Sequence, residues 1–380
     1  MTHSTPAQED GGATILEIGQ QPDVWREVAR RQEPVAAALL RDVTRRPDVR
    51  IILTGAGSSA FIGDMAAAAL RRHLGRRVEA IATTSIVANP LDYLEPHTPP
   101  TLMVSFGRSG NSPESLATTE LADDLVDEIW HLVLTCDGDG ALAKAHTGRT
   151  NSRVVCMPER TNDTGFAMTS SLTSMLLTCL RLLGPATTGH GEVLATAAEH
   201  VASMQSDIAA LANTKKKRLV YLGSGALEGL AQESALKMLE LTAGEVDTYF
   251  DSPLGFRHGP KSVLDGDTLV VVYAATDPYT HRYDLDIIAE IRGQLDDDAV
   301  VVVSTEPLPD GFGQAIVLPG GLDGLDDALV ALPYLVFAQY LALFTALEHG
   351  KTPDNPFPSG EVSRVVKGVT IYPPLTESGR

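Results

Sequence analysis

Cysteine is scarce in this 380-residue chain: Cys136, Cys156 and Cys179 are widely spaced and form no CxxC pair. That excludes a disulfide framework and a cysteine zinc cage, and it reads as a protein of the reducing cytosol. Basic charge is short as well. Thirty Lys and Arg stand against 49 Asp and Glu, a net charge of −19, so the basic surface that sequence-nonspecific nucleic-acid binders need is absent and no nucleic-acid partner is expected. The first dozen residues, MTHSTPAQEDGG, have neither a basic n-region nor an apolar h-region, so no secretory signal is expected. Long apolar runs are nearly missing. Ala328 to Leu347 (ALVALPYLVFAQYLALFTAL) is uncharged and long enough to cross a bilayer, but Pro333 and Gln339 interrupt it and no second run accompanies it. It reads as a helix buried on all sides, with no membrane partner.

Apolar residues are plentiful at 43% of the chain, enough for about two domains. An internal repeat organises them. Arg50 to Leu70 (RIILTGAGSSAFIGDMAAAAL) and Arg218 to Met238 (RLVYLGSGALEGLAQESALKM) share one form: a basic residue, an apolar strand, a GxG turn, then a helix. Short β-branched runs follow each copy. In the first half they are Val78–Thr83, Leu102–Ser105, His131–Thr135 and Val154–Met157; in the second, Val246–Phe250, Thr268–Tyr273, Ala299–Ser304 and Ala315–Leu318. Short continuous runs separated by helical stretches are the mark of parallel strands buried on both faces. The fold class is therefore α/β, with two tandem doubly wound five-stranded parallel sheets. Residues 1–49, with a helical stretch from Val24 to Leu40, are expected as an N-terminal helical cap. The two domains are expected at 50–190 and 218–349, joined by a linker helix at 191–217. The tail 350–380 is expected to be ordered, because VVKGVTIY alternates regularly.

In open α/β sheets ligands lie beyond the carboxyl ends of the strands. The first such turn, Gly55-Ala56-Gly57-Ser58-Ser59-Ala60, fits the GxGxxA dinucleotide pattern. A nicotinamide enzyme also needs an acid at the end of the second strand; here that strand ends in hydroxyls and Glu79 stands near its start. What remains is a glycine turn with two hydroxyls at a helix start, which suits a phosphate. The second loop, Ser105-Phe106-Gly107-Arg108-Ser109-Gly110-Asn111-Ser112-Pro113-Glu114, places Ser112 as N-cap and Pro113 in the first turn of a helix. Hydroxyls and amides there converge on the positive end of a helix dipole, although an ordinary capped helix looks similar. Arg108 adds a forked donor that equally fits a solvated role. A third loop, Asn162 to Ala167, runs into a Ser- and Thr-rich helix. A fourth region holds Ala235-Leu236-Lys237-Met238-Leu239-Glu240 and Gly255-Phe256-Arg257-His258-Gly259-Pro260. Glu240 stands among apolar neighbours, a setting that suits a proton shuttle; a salt bridge with Lys237 is the competing reading. His258, between glycine and proline, is displayed by a loop.

These motifs and the duplication together resemble the sugar isomerase (SIS) family of phosphosugar proteins over residues 50 to 375. Within it, Ser105–Ser115 and Gly165-Phe166-Ala167-Met168-Thr169-Ser170-Ser171 look more like the AgaS type of galactosamine-6-phosphate deaminase/isomerase than the isomerase half of glucosamine-6-phosphate synthase. The glutaminase domain of the synthase is missing, with no catalytic cysteine after Met1. The resemblance implies flavodoxin-like domains, no metal or organic cofactor, and a homodimer that shares its active site between subunits. It implies that Gly57, Ser58, Ser59, Arg108, Ser109, Asn111, Ser112 and Thr164 bind a phosphorylated amino sugar. It assigns the C1–C2 proton transfer to Glu240, ring opening to His258, and closure over the sugar to Lys367 in the tail. Two departures stand out. Gly107 and Arg108 replace a serine and a glutamine of the synthase, and about two extra residues separate Glu240 from His258.

The function implied is conversion of galactosamine 6-phosphate to tagatose 6-phosphate and ammonia, in the cytosol. A plain aldose–ketose phosphate isomerase, or a deglycase of fructosamine 6-phosphates, shares every step but the last. A non-catalytic phosphosugar sensor is the alternative of another class. The second half has Ala274-Ala275-Thr276-Asp277 where the first has its phosphate loop, so one site per chain is expected. The uncharged stretch Ala328–Leu347 is expected to supply the apolar surface of the dimer.

Overall fold

The computed structural model describes residues 11–94, 99–309, 312, 315–366 and 368–373. Helices α1 (Gly12–Gly19), α2 (Gln21–Arg30) and α3 (Pro34–Thr44) open it. Pro22 and Pro34 lie in first turns, where a missing N–H costs nothing. Pro34 also splits the single helix expected over Val24–Leu40, because Arg31 and Glu33 before it leave helical geometry. The first half continues through β1 (Arg50–Thr54), α4 (Ser58–Leu74), β2 (Arg77–Ala80), α5 (Thr83–Ala88), α6 (Pro90–Tyr93), β3 (Thr101–Gly107), α7 (Pro113–Leu125), β4 (Ile129–Thr135), α8 (Ala141–His146) and β5 (Ser152–Cys156). Helices α9 (Ser170–Leu183), α10 (His190–Ser203) and α11 (Gln205–Ala212) lead into the second half. That half holds β6 (Arg218–Gly223), α12 (Ala226–Leu241), β7 (Asp247–Asp251), α13 (Pro253–Phe256), β8 (Thr268–Tyr273), α14 (Pro278–Arg292), β9 (Val300–Ser304), β10 (Ala315–Val317) and α15 (Asp327–Glu348).

The sequence repeat is a topological repeat. The sheets run β2-β1-β3-β4-β5 and β7-β6-β8-β9-β10, all parallel and in the same order. Register repeats too, with Arg50 opposite Thr101 as Arg218 is opposite Thr268. The two tandem doubly wound sheets are as expected, and period-two alternation explains their packing. Ile51 and Leu53 of β1, with Leu219 and Tyr221 of β6, enter one core shared by both halves. Ile52 faces the opposite side with Ile86, Met103 and Ala122, while Val220 and Leu222 face α14 residues Ile287, Ile288 and Ile291.

Between the sheets, α4 packs on α12, the equivalent helix of each half. Gly229 permits this approach: a Cβ there would stand 2.9 Å from the Met65 N. Helix α15 runs through the shared core with Ala328 to Leu343 buried throughout. It is long and apolar enough to span a membrane, but 94% of its most apolar window is inside the protein. This bears out the buried helix and overturns its use as a dimer surface, because its side chains are already spent within one chain. The tail carries no regular element: its described residues from 351 onward form neither helix nor strand. Val366, Val369, Ile371 and Tyr372 are exposed, since no strand pairs with them and alternation alone buries nothing.

Candidate active site

Both GxG turns are built alike. A Cβ at Gly55 would meet the Ser59 backbone at 2.6 Å, and one at Gly223 the Leu227 backbone at 2.3 Å. Gly57 and Gly225 take positive φ of 56° and 60°, as turns that lead straight from a strand into a helix require. Ser58 and Ser59 then open α4 with both side chains buried. Among the described residues the Ser59 hydroxyl bonds the Met168 Sδ alone, at 3.8 Å, and that weak bond leaves it available. Glu79 does not face this turn: its carboxylate binds Arg50 and Arg77 at the other end of the sheet, so no ribose ligand stands there.

The second loop leaves β3 at Gly107 and turns through Gly110 at φ 62°. Ser112 is the N-cap residue of α7, yet its hydroxyl makes no capping bond. Ser109 Oγ accepts only from the Asn111 amide at 3.3 Å. Both hydroxyls are thus free to turn toward a ligand at a helix start. Asn111 spends its carbonyl oxygen on the Ala141 N at the start of α8, 2.9 Å away. Arg108 is not solvated: it is 7% exposed, and it donates to Phe166 O at 3.3 Å and Arg364 O at 3.2 Å.

The third loop is held from both sides. Asp163, fully buried, accepts from the amides of Thr169 and Ser171 and from the hydroxyls of Ser170 and Ser171, and so anchors the start of α9. Thr164 is exposed; its amide (2.5 Å) and hydroxyl (2.9 Å) both donate to Glu17 Oε1 on α1, which leaves the hydroxyl oxygen as an acceptor. Burial, and next the Asp163 charge, raise the Glu17 pKa.

The charged side chains Glu233, Lys237 and Glu240 lie on α12. They are spaced to share one helix face, and Lys237 Nζ binds the Glu240 carboxylate directly while standing 3.5 Å from Glu233 Oε1. The apolar sequence neighbours of Glu240 therefore do not surround its carboxylate; the salt bridge is made. Glu233 and Lys237 are 0% exposed. Burial pushes Glu233 up to about 7, against the pull of Lys237. Neither Glu233 oxygen has a hydrogen bond of good geometry; the Ser58 hydroxyl lies alongside and opposes the rise. Burial works against the Lys237 charge, but Glu233 and Glu240 outweigh it and its pKa is raised. Ser58 of one half thus meets Glu233 of the other, and the Arg108 charge acts on Glu240 and Lys237. The site lies at the seam of the repeat.

His258 stays apart. It is exposed just after α13, and its ring makes no hydrogen bond or ion pair with a described residue. Lys367 lies outside the described residues. Sequence reasoning had passed over Glu233, Glu17, Asp163 and Arg364. The i, i+4, i+7 spacing of Glu233, Lys237 and Glu240 was a signal for the first; Glu17 and Arg364 meet their loops across 147 and 201 residues, and no local pattern marks such partners. Among the described residues no group of three His, Cys, Asp or Glu is placed to hold a metal ion.

In the repeat-equivalent position of the second half the backbone donors are already used. Ala275 N donates to the buried Asp284 at 2.8 Å, and Thr276 N to Asp327 at 2.8 Å. These carboxylates stand where a bound anion would need those amides, so that half offers no matching cradle.

Residues 45–183 match the SIS domain. An AgaS-named protein of Streptomyces coelicolor is 50% identical over 97% of both chains. The D-galactosamine-6-phosphate deaminase AgaS of Shewanella sp. strain ANA-3 is 43% identical over 95% of this chain and 92% of its own. The crystal structure of tagatose-6-phosphate ketose/aldose isomerase from Escherichia coli superimposes with a TM-score of 0.88 at 41% identity, covering 98% of this chain and 99% of the other.

Proposed function

This chain belongs to the SIS family, on its AgaS branch, and on that premise we propose that it converts galactosamine 6-phosphate and water to tagatose 6-phosphate and ammonia. The observation that carries the reading is the buried Glu233–Lys237–Glu240 network set beneath hydroxyl-lined helix starts. Gly57, Ser58, Ser59, Ser109 and Ser112, with the loop amides and the Asn111 side-chain amide, supply the donors for a dianionic phosphate. His258 assists ring opening, which exposes the C2 proton beside a C1 aldehyde. The Glu240 carboxylate takes that proton and returns it at C1, leaving an imine at C2. Lys237 orients the carboxylate through its direct contact. Water then adds to C2 and ammonia leaves, which balances the reaction. Lys367 is assigned to the sugar as the tail closes.

An aldose–ketose isomerase uses the same proton transfer without the imine hydrolysis, and the name of the 41% identical structure supports that second reading. Ammonia release from galactosamine 6-phosphate, followed beside ketose formation, separates the two. Glu240→Gln should lower kcat by about 10²–10⁴-fold with KM nearly unchanged. Exchange of the C2 proton with deuterated solvent at the parent rate in that variant would remove Glu240 from the mechanism.

The homodimer with a shared site is part of this proposal. Its support is a patch beside Glu240 and His258: Leu239, Tyr249, Phe250 and Leu254 are 39–46% exposed on α12, the edge strand β7 and α13. An apolar edge of this kind invites a second copy. A cytosolic location is supported by three unpaired cysteines.

A further inference from the structure

Arg108 has a fixed base and a committed head. Its backbone oxygen accepts from the Cys136 N at 3.2 Å, which pins it between β3 and β4. Its guanidinium reaches Phe166 O and Arg364 O, one on the turn behind Asp163 and the other on the C-terminal strap. Arg364 answers by donating its own guanidinium to Asp163 O. The ring of Phe357, earlier in the strap, lies 5.3 Å from that of Phe166. Farther back, Asp354 accepts from the amides of Ala13 and Thr14, which tethers the strap to the start of α1.

We infer that Arg108 is a positioning residue that ties the C-terminal strap to the loop after β3 and so holds the strap in its seat. The inference rests on the function proposed above and adds a residue to its machinery. The strap from 351 to 366 has neither helix nor strand, so its course is set by a few side-chain anchors and not by a ladder. Arg108 holds the last of these before position 367. Its two hydrogen bonds to carbonyls of different segments use the planar fork of a guanidinium, which the single ammonium of lysine does not reproduce. The two arginines repel, while Asp163 and Glu240 supply the compensating negative charge.

The strap can be tested without substrate. Glutamyl endopeptidase cleavage at the exposed Glu361 reads how often the strap leaves its seat. Arg108→Gln should speed that cleavage by about tenfold, the worth of one charged hydrogen bond, and Arg108→Lys should not restore the parent rate. In turnover, Arg108→Gln should lower kcat while KM and inhibition by inorganic phosphate stay within about twofold of the parent. Unchanged cleavage, or loss of phosphate inhibition, would overturn the inference, the latter by making Arg108 a phosphate ligand. Should Arg108→Gln fail to fold, Arg108→Lys, which keeps the charge and loses the planar fork, carries the cleavage test: cleavage faster than in the parent is expected, and an unchanged rate overturns the inference. A loosened strap in a protein that is inactive on galactosamine 6-phosphate upholds the anchor and defeats the proposed function; an active protein with an unmoved strap does the reverse.

Discussion

Replacing Glu233 with glutamine keeps the side chain's shape and removes its titration, and the buried network makes the consequence calculable. Burial raises the carboxyl from an ordinary 4.5 to about 7 in the folded chain. A displacement of that size corresponds to about 3 kcal/mol, at roughly 1.36 kcal/mol per pH unit. Between those two values the native state holds a proton that the unfolded chain has released. The contribution to stability is therefore fully present below pH 4.5 and is lost as pH rises through 7. Glu233→Gln carries no such loss. The difference in stability between variant and parent should be small at pH 5 and should favour the variant by about 3 kcal/mol above pH 8. For a chain of 380 residues, with an unfolding entropy of about 0.8 kcal/mol/K, that is roughly 4 °C in Tm. The assay is a series of thermal melts of both proteins from pH 5 to 9 at one scan rate. Melting curves whose separation does not change with pH would refute the reasoning, since they would mean that Glu233 is ionised throughout or already satisfied.

Ser109→Ala combined with Ser112→Ala should chiefly raise KM for the phosphorylated substrate, each lost charge-assisted bond costing roughly 1.5–3 kcal/mol; equal turnover of unphosphorylated galactosamine by the parent would contradict this. Gly229→Val should lower Tm by about 1–4 °C, because even a Cβ stands 2.9 Å from the Met65 N and overpacking costs about 1–3 kcal/mol; a melt equal to the parent's would show that α4 and α12 can part. Glu240→Gln and His258→Ala, unfolded together and refolded, should regain partial activity in mixed dimers. Mixed dimers detected by mass yet inactive would place both residues on one chain.

Much of the site was legible because its carriers are local. GxG turns, the N-cap at Ser112 and Glu240 on its helix announce themselves within a few residues of chain, since strand, turn and helix periods are short-range properties. Glu240 illustrates the limit. Its sequence neighbours Leu236, Met238, Leu239 and Leu241 suggested an apolar pocket, but a helix sends such neighbours to different faces, and Lys237 at i−3 is the group that meets the carboxylate. Thr164 shows the limit again, because Glu17 arrives from the N-terminal helix to take its hydroxyl.

By itself, then, the sequence determined the duplicated doubly wound fold, the strand positions, the glycine turns and the family, because alternation, glycine turns and repeated motifs are written along the chain. Tertiary structure alone decided which donors remain free and which are spent. It turned Arg108 inward onto Phe166 and Arg364, brought Glu17 against Thr164, and set Asp284 and Asp327 on the amides of Ala275 and Thr276. Contacts of this kind form across tens to hundreds of residues, where burial and charge depend on what packs alongside and not on what comes next in the chain.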